Sequence, residues 1–390
     1  MNFCSTYLEL GRLSRSTMRS PSFVLLFAVC AVWGGGVSSR GGGGAMAYDD
    51  ETLFSSVPMI MAHDAASGYL GGGLINAWTK TQSAGMREQL DCGARVFDAR
   101  PELDEDKGLV WHHGDVTVDY EFSQSVEDIM SWTAAHPTEL VYMDIWDCVG
   151  EGCMDAATTA LTSAGVPIMD SCADLDGLTL GGLKAMAQTA GSGLLIASTA
   201  DCANSNYDST LACSGYQGRG AEEKDDEAAA TLRGGVERCY EAAGRVSATA
   251  TASSLSSTQL GVLVECAEAL RASINATTLE SAGFYNCYDG SDTVEYPLGR
   301  MMAYLDGVSS AGPAADGAPA QHQALWEETV ASVVLGTLAR SSLVKDENWS
   351  KLNSLVTAAV QEGRWKHINW LEVNDVCDGG EGLLAALKAM

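Results

Sequence analysis

The chain has 390 residues and 46% apolar content, enough to bury a sizeable core, and its 51 acidic against 23 basic residues give a formal charge of −28. That surplus of negative charge excludes nucleic acid as a partner and argues against electrostatic adsorption to anionic membranes, since both repel it. The length suits one large α/β domain, because a (β/α)8 barrel takes about 250 residues or more with insertions.

Residues 1–39 read as an export signal: Arg12, Arg15 and Arg19 precede the apolar Phe23–Trp33, and small residues follow through Ser39. The apolar core is short for a bilayer span, so secretion is expected, with a retained signal anchor as the alternative. Residues 40–50, with Gly41–Gly44, form a glycine-rich linker, and residues 51–390 form a single barrel domain with an insertion around 201–282.

Three apolar runs follow, each ending abruptly in polar residues: Val57–Ala62 before His63 and Asp64, Ala94–Phe97 before Asp98 and Arg100, and Leu109–Trp111 before His112 and His113. Short buried runs with polar ends read as parallel strands, and the carboxyl ends of parallel strands are where a barrel keeps its chemistry. A crossover helix closed by Gly93 is expected between the first two. Leu140–Asp147 is a fourth strand and Gly193–Ser198 a fifth, with Gly283–Tyr285 and Met301–Leu305 offered as the sixth and seventh. Ile368–Val373 is the last. Helical patterns at 323–342 and 348–362 belong to an outer ring. The interval 201–282 is too long for a plain loop, so it should hold structure of its own. It either lies over the active face or is a solvated surface insertion.

The residues at those strand ends carry a specific resemblance. The set His63-Asp64, the stretch GARVFDAR (93–100), the stretch VWHHGDV (110–116) and the segment 132–143 resemble the catalytic X region of phosphatidylinositol-specific phospholipases C. The similarity is greatest to the metal-independent bacterial and fungal branch, because Arg100 stands where the calcium-dependent branch places a metal ligand. The resemblance implies a barrel of the (β/α)8 type and a phosphodiester-cleaving enzyme acting on a phospholipid without a metal cofactor; calcium is not expected. It also implies roles: His63 as general base, His113 as general acid, Arg100 on the phosphate oxygens, Asp64 orienting one histidine, and Asp98 supporting the arginine and base. The chemistry makes the same demand, since two imidazoles must hold opposite protonation states and a guanidinium grips two phosphate oxygens without deprotonating. His112, adjacent to His113, falls on the opposite strand face and should be packing.

The chain departs from that family in two places. No lysine follows the fourth strand, where the bacterial enzymes use one for the inositol phosphate; Asp144 and Trp146 stand there and are taken as substrate contacts. The family's last strand ends in an aspartate that orients the base, and here a one-residue shift in register decides between Asn374 and Asp375, with Asp375 chosen. Tyr69 and Trp78, in the glycine-rich segment after His63, are the aromatics available for a transient membrane contact. Ten cysteines remain after the signal, which suggests disulfides in an exported chain, with Cys148–Cys153 and Cys202–Cys213 as the local pairs. Alternatives within the same barrel are a glycerophosphodiesterase or sphingomyelinase D-like enzyme, or a non-catalytic binding protein.

Overall fold

Along each barrel strand the side chains alternate between a lumen and an outer ring of helices, and this period of two places His63, Asp98, Arg100, Asp144, Trp146, Glu372 and Asn374 on the lumen side. The computed structural model describes residues 48–390, except 201–203, 206–216, 219–225, 274–283, 286–296, 313–317 and 326–327. The signal segment, most of the 40–50 linker and the Cys202–Cys213 pair lie outside the described residues.

In chain order the strands are β1 (Met59–Ala62), β2 (Ala94–Ala99), β3 (Pro101–Asp104), β4 (Gly108–His113), β5 (Val116–Val118), β6 (Val141–Ile145), β7 (Ile168–Met169), β8 (Leu195–Ser198), β9 (Asn204–Ser205), β10 (Gln217–Gly218), β11 (Phe284–Tyr285), β12 (Ala320–Ala324) and β13 (Trp370–Val373). Eight of them form one sheet in the order β7-β8-β6-β2-β1-β13-β12-β9, and every pairing in it is parallel. The sheet has to curl. Five strands separate β8 from β9 in sheet order, roughly 29 Å if flat, yet only residues 199–203 connect them, a reach of about 20 Å. The result is an irregular α/β barrel of the (β/α)8 type, with β7 and β9 at the ends of the sheet order.

The lumen holds Phe54, Met59, Met61, Val96, Tyr142, Ile196 and Trp370. The opposite faces of the same strands, with Ile60, Phe97, Met143, Leu195 and Leu371, pack on helices Phe122–Ala135, Leu352–Gln361 and Gly380–Leu387 through Ile129, Val356 and Leu383. The crossover helix after β1 is Met86–Cys92, and Gly93, at φ 121°, ends it where a Cβ would lie 2.8 Å from the Gly380 carbonyl oxygen.

Four sequence expectations are corrected. The third apolar run is not a barrel strand: β3, β4 and β5 form an antiparallel meander. Only residues 105–107 join β3 to β4, too few for a parallel crossover. Met301–Leu305 lies within helix Pro297–Ala311, where Met301 and Leu305, four apart, bury one face. Phe284–Tyr285 is a strand but pairs with β10 outside the barrel. The helical pattern expected at 323–342 begins instead with β12, Ala-Gln-His-Gln-Ala, followed by helix Val330–Leu338. The insertion contains helices Asp226–Ala242 and Ser257–Ser273, joined by the Cys239–Cys266 disulfide and packed on helix Val330–Leu338.

Cys148–Cys153 is bonded as expected, across 5 residues, and Cys92–Cys377 ties the end of the first crossover helix to the segment after β13 across 285 residues. Closing a long loop removes more unfolded-state entropy than closing a short one. Replacing Cys92 and Cys377 by serine should therefore cost about 2–4 kcal/mol in a denaturant titration. The matching change at Cys148 and Cys153 should cost clearly less, and equal losses would count against loop closure as the source.

Candidate active site

The lumen-facing positions change from apolar to polar as each strand reaches its carboxyl end: Met59, Met61, then His63; Val96, Asp98, then Arg100; Tyr142, Asp144, then Trp146; Trp370, Glu372, then Asn374. The polar layer lines a cleft of about 470 Å³ that includes His63, Asp64, Arg100, His113, Asp144 and Trp146. One wall is apolar and comes from outside the barrel strands, with Leu255 and Leu260 from the insertion and Leu343 from helix Leu343–Ser350. The insertion thus lies over the active face.

Asp64 is the centre of the site. It follows β1 in a left-handed conformation, φ 43°, an uncommon one for a residue with a Cβ. Its N–H donates to Asp98 Oδ2 at 2.8 Å, which holds the turn. The buried carboxylate then receives three groups: Arg100 Nη1 lies 2.8 Å from Oδ1, while His63 Nε2 and His113 Nε2 lie 3.2 and 3.1 Å from Oδ2. Asp98 grips the same guanidinium from the other side, accepting from Arg100 Nε at 3.1 Å and Nη2 at 2.8 Å. Trp146 donates from Nε1 to Asp98 Oδ1 at 2.7 Å, and the Arg100 guanidinium sits 4.5 Å over its ring. Asp144, in register with Asp98 and Ser198, accepts from the Ser198 hydroxyl at 2.5 Å.

The two imidazole rings stand 6.4 Å apart, centroid to centroid. His113 is anchored through Nδ1 on the Thr79 carbonyl. His112 occupies the opposite face of β4, buried, with its ring nitrogens facing the carbonyl oxygens of Gly114 at 3.0 Å and Asp147 at 2.8 Å. His63 is anchored through Nδ1 on Asn374 Oδ1 at 2.8 Å. The choice of Asp375 is therefore corrected. β1 and β13 pair Ala62 with Val373, and the next step in that register sets His63 beside Asn374. Asp375 then turns away at φ 40°, and its carboxylate accepts from the Ser83 hydroxyl and N–H.

Several supports carried no signal beyond their parity or lay in a connecting segment. Gln82 Nε2 donates to the carbonyls of both His63 and Val373, each at 3.0 Å, clamping the two strand ends together. Thr81 Oγ1 donates to the His63 carbonyl at 2.9 Å. Glu372 lies one layer below His63, with Gln323 Nε2 donating to it at 2.7 Å. Tyr69 and Trp78 are not exposed: Tyr69 stacks on Tyr120 at 3.8 Å, and Trp78 is buried with its Nε1 donating to Thr337 at 2.8 Å.

Burial pushes the His63 pKa down, but the charges of Asp64 and Glu372 outweigh it and raise the net value above 6.5. Burial also lowers His113; Asp64 opposes it, but Arg100 and His63 reinforce it, and the net value falls below 6.5. Asp64 resists its own burial because of Arg100 and the histidines, and its carboxyl is held well below the usual range. Burial pushes Glu372 up to about 7 and Glu347, on helix Leu343–Ser350, well above the carboxylate range. Among the described residues one group of metal-capable side chains comes together, His63, Asp64 and Asp98, with ligand atoms within 4.8 Å. Arg100 already pairs with both carboxylates, so a cation there would have to displace or adjoin a guanidinium.

No protein-family model matches the chain. Among solved structures it is similar to a mutant of the phosphatidylinositol-specific phospholipase C from Staphylococcus aureus, with 14% identity, a TM-score of 0.46, and coverage of 87% of this chain and 95% of that one. It is also similar to the phosphatidylinositol-specific phospholipase C from Listeria monocytogenes, with 12% identity, a TM-score of 0.43, and coverage of 88% and 97%.

Glu372 gives a stability test. Its folded pKa is about 7 against an ordinary 4.5, so the native protein loses stability as pH rises from 4.5 through 7 and then levels off. Glu372→Gln removes that loss. The variant's melting temperature relative to the parent should rise across this window and stay constant above it; a difference that is flat or falls with pH would show that ionising Glu372 costs nothing.

Proposed function

We propose that the protein is an exported phosphoric diester hydrolase of the phosphatidylinositol phospholipase C type, cleaving a phospholipid through a cyclic phosphate. The observation that carries the reading is the convergence of three nitrogens, His63 Nε2, His113 Nε2 and Arg100 Nη1, on the two oxygens of one carboxylate. A phosphodiester presents two such oxygens on one phosphorus, so the arrangement suits an oxyanion flanked by an attacking and a departing oxygen.

The anchoring of the rings supports the division of labour. His63 Nδ1 is committed to Asn374, so Nε2 faces the cleft, where it takes the proton of a head-group hydroxyl. That oxygen attacks phosphorus and closes the cyclic phosphate. Arg100 holds the phosphoryl oxygens as charge builds on them. His113, tied through Nδ1 to Thr79 and through Nε2 to Asp64, returns a proton to the departing alkoxide. Hydrolysis of the cyclic product runs the same transfers in reverse with water. Arg100 supplies permanent positive charge at the phosphate, so no metal cofactor is required.

The direction of the two pKa shifts places the resting proton on His63, opposite to the state that cleavage uses. The two single-proton states keep a fixed ratio at every pH, so the rate still follows the population carrying one proton in all. The expected profile is a bell whose acid limb, set by His113, lies below 6.5 and whose alkaline limb, set by His63, lies above it.

Trp146 and Asp144 are the head-group contacts in this reading. Trp146 is 41% exposed at the cleft, and its ring is held in place by Asp98 and Arg100. A head group with an additional sugar gains a stacking face there, in exchange for the ammonium that a lysine would offer. A panel of phosphatidylinositol and glycosylated derivatives should show preference for the latter, lost in Trp146→Ala; unmodified phosphatidylinositol as best substrate with unchanged kinetics in the variant would overturn this.

The decisive experiment is phosphorus NMR of the purified protein with phosphatidylinositol or a glycosylated derivative, with and without chelator. A cyclic inositol phosphate should form in both. His63→Ala and His113→Ala should each reduce turnover at least ~10²-fold, and Arg100→Lys should be damaging although it keeps the charge. Near-normal turnover in both histidine variants removes the acid–base assignment, and activity that chelation abolishes and calcium restores removes the metal-independent one.

A further inference from the structure

The partner of His63 Nδ1 is an amide, and an amide has two different ends. With Oδ1 toward the ring, Nδ1 must carry the hydrogen, so the neutral ring has its lone pair on Nε2, the atom that lies 3.2 Å from Asp64 Oδ2 and there takes up the second hydrogen of the charged ring. With Nδ2 toward the ring, Nδ1 must accept, so the hydrogen moves to Nε2 and the ring cannot take a proton there. A carboxylate in the same place would accept in either orientation. An asparagine therefore needs something behind it to decide which end faces forward.

Glu347 stands behind it. Asn374 Nδ2 donates to Glu347 Oε2 at 3.4 Å while Oδ1 meets His63 Nδ1 at 2.8 Å, so the three side chains form one line running back from the cleft. Both supports are buried, Asn374 fully and Glu347 to 3% exposure. The rest of the strand end is fixed independently: Asn353 Nδ2 donates to the backbone carbonyls of Asn374 and Asp375 at 3.0 and 3.2 Å. That leaves the side-chain amide's rotation as the free variable. The other carboxyl oxygen of Glu347, Oε1, is buried with no hydrogen-bond partner among the described residues. An apolar side chain of similar volume would fill this place at lower cost, and among the described residues the hydrogen bond of the Glu347 side chain is the one from the Asn374 amide.

We propose that Glu347 is a positioning residue for the acid–base pair: by accepting from the Asn374 amide nitrogen it turns the amide oxygen to His63, holds the ring's hydrogen on Nδ1 and keeps Nε2 available as base. This rests on the reading of His63 as the base in phosphodiester cleavage. The line does the work of a single carboxylate with two residues, and Oε2 offers its lone pair to Nδ2 whether Glu347 is ionised or neutral.

The test reads the ring first and activity second. Nitrogen-15 NMR of the full chain with labelled histidine, at a pH where His63 is neutral, should show the Nδ1–H tautomer; a dominant Nε2–H form overturns the proposal without any variant. Glu347→Leu, and Glu347→Met should leucine fail to fold, should give a mixed tautomer and a kcat at least ~10-fold lower with little change in KM. In an Asn374→Asp background the same change should cost no further kcat and leave the hydrogen on Nδ1, because a carboxylate accepts in either orientation. An unchanged tautomer in Glu347→Leu, or an equal loss in both backgrounds, would reduce Glu347 to a packing role and overturn the proposal. If the tautomer responds as stated but no phosphodiester is turned over, the positioning stands and the functional reading falls.

Discussion

Charge balance in a buried layer is the constraint on which the rest of the site depends. Asp64 and Asp98 bring two negative charges to the carboxyl ends of β1 and β2, where both are buried. Arg100 offsets one of them. Low dielectric makes a residual charge costly, and the group that removes it is a proton on the histidine pair. Burial disfavours charge on both rings; at His63 the carboxylates of Asp64 and Glu372 outweigh it, whereas at His113 Arg100 and His63 reinforce it, so one value rises and the other falls. Glu372, raised to about 7, sits just below as a further group that burial keeps from ionising freely. A single proton on the histidine pair is thus an outcome of the charges around it; it rests on His63, and cleavage as proposed uses the minor state with that proton on His113.

That layer was largely legible from parity. Positions 59, 61 and 63, 96, 98 and 100, and 370, 372 and 374 each run from apolar to polar with a period of two, and in a parallel barrel the polar ends must meet at one rim. The same rule separated His113 from His112. It did not fix the last strand, because the choice between Asn374 and Asp375 is a question of register between β1 and β13, strands some 310 positions apart in the chain. Asp375 is the better chemical match to an orienting carboxylate, and the pairing of Ala62 with Val373 overrides it.

Elements that failed to read did so for definite reasons. β12 is Ala-Gln-His-Gln-Ala, a strand whose alternate residues Gln321 and Gln323 line the polar cleft, so it lacks the apolar run that marks the other strands. Met301–Leu305 has such a run and is a helix, since five apolar-rich residues carry too little periodicity to separate the two states. β4 reads as one more barrel strand because its lumen-side histidine mimics the others; the three-residue connection to β3 was the available evidence against it. Glu347 could not be found at all from sequence, for a buried acid in a helix has no pattern of its own until the strand it backs is placed.

The same charge balance would govern how the proposed anionic substrate enters. The chain carries a formal −28 and its cleft arginine is already matched by two carboxylates, so long-range attraction contributes little to binding. On the proposed reading affinity arises at contact range, from exchange of partners: a phosphoryl oxygen in the cleft would compete with Asp64 for Arg100 Nη1 and for the two Nε2 atoms. Asp98 does not compete, because its hold on Nε and Nη2 leaves the other edge of the guanidinium facing the site. The strained turn at Asp64 then has a physical use. It presents a carboxylate that holds three nitrogens through ion pairs, which on the proposed reading a phosphate would replace, beside an apolar wall of Leu255, Leu260 and Leu343.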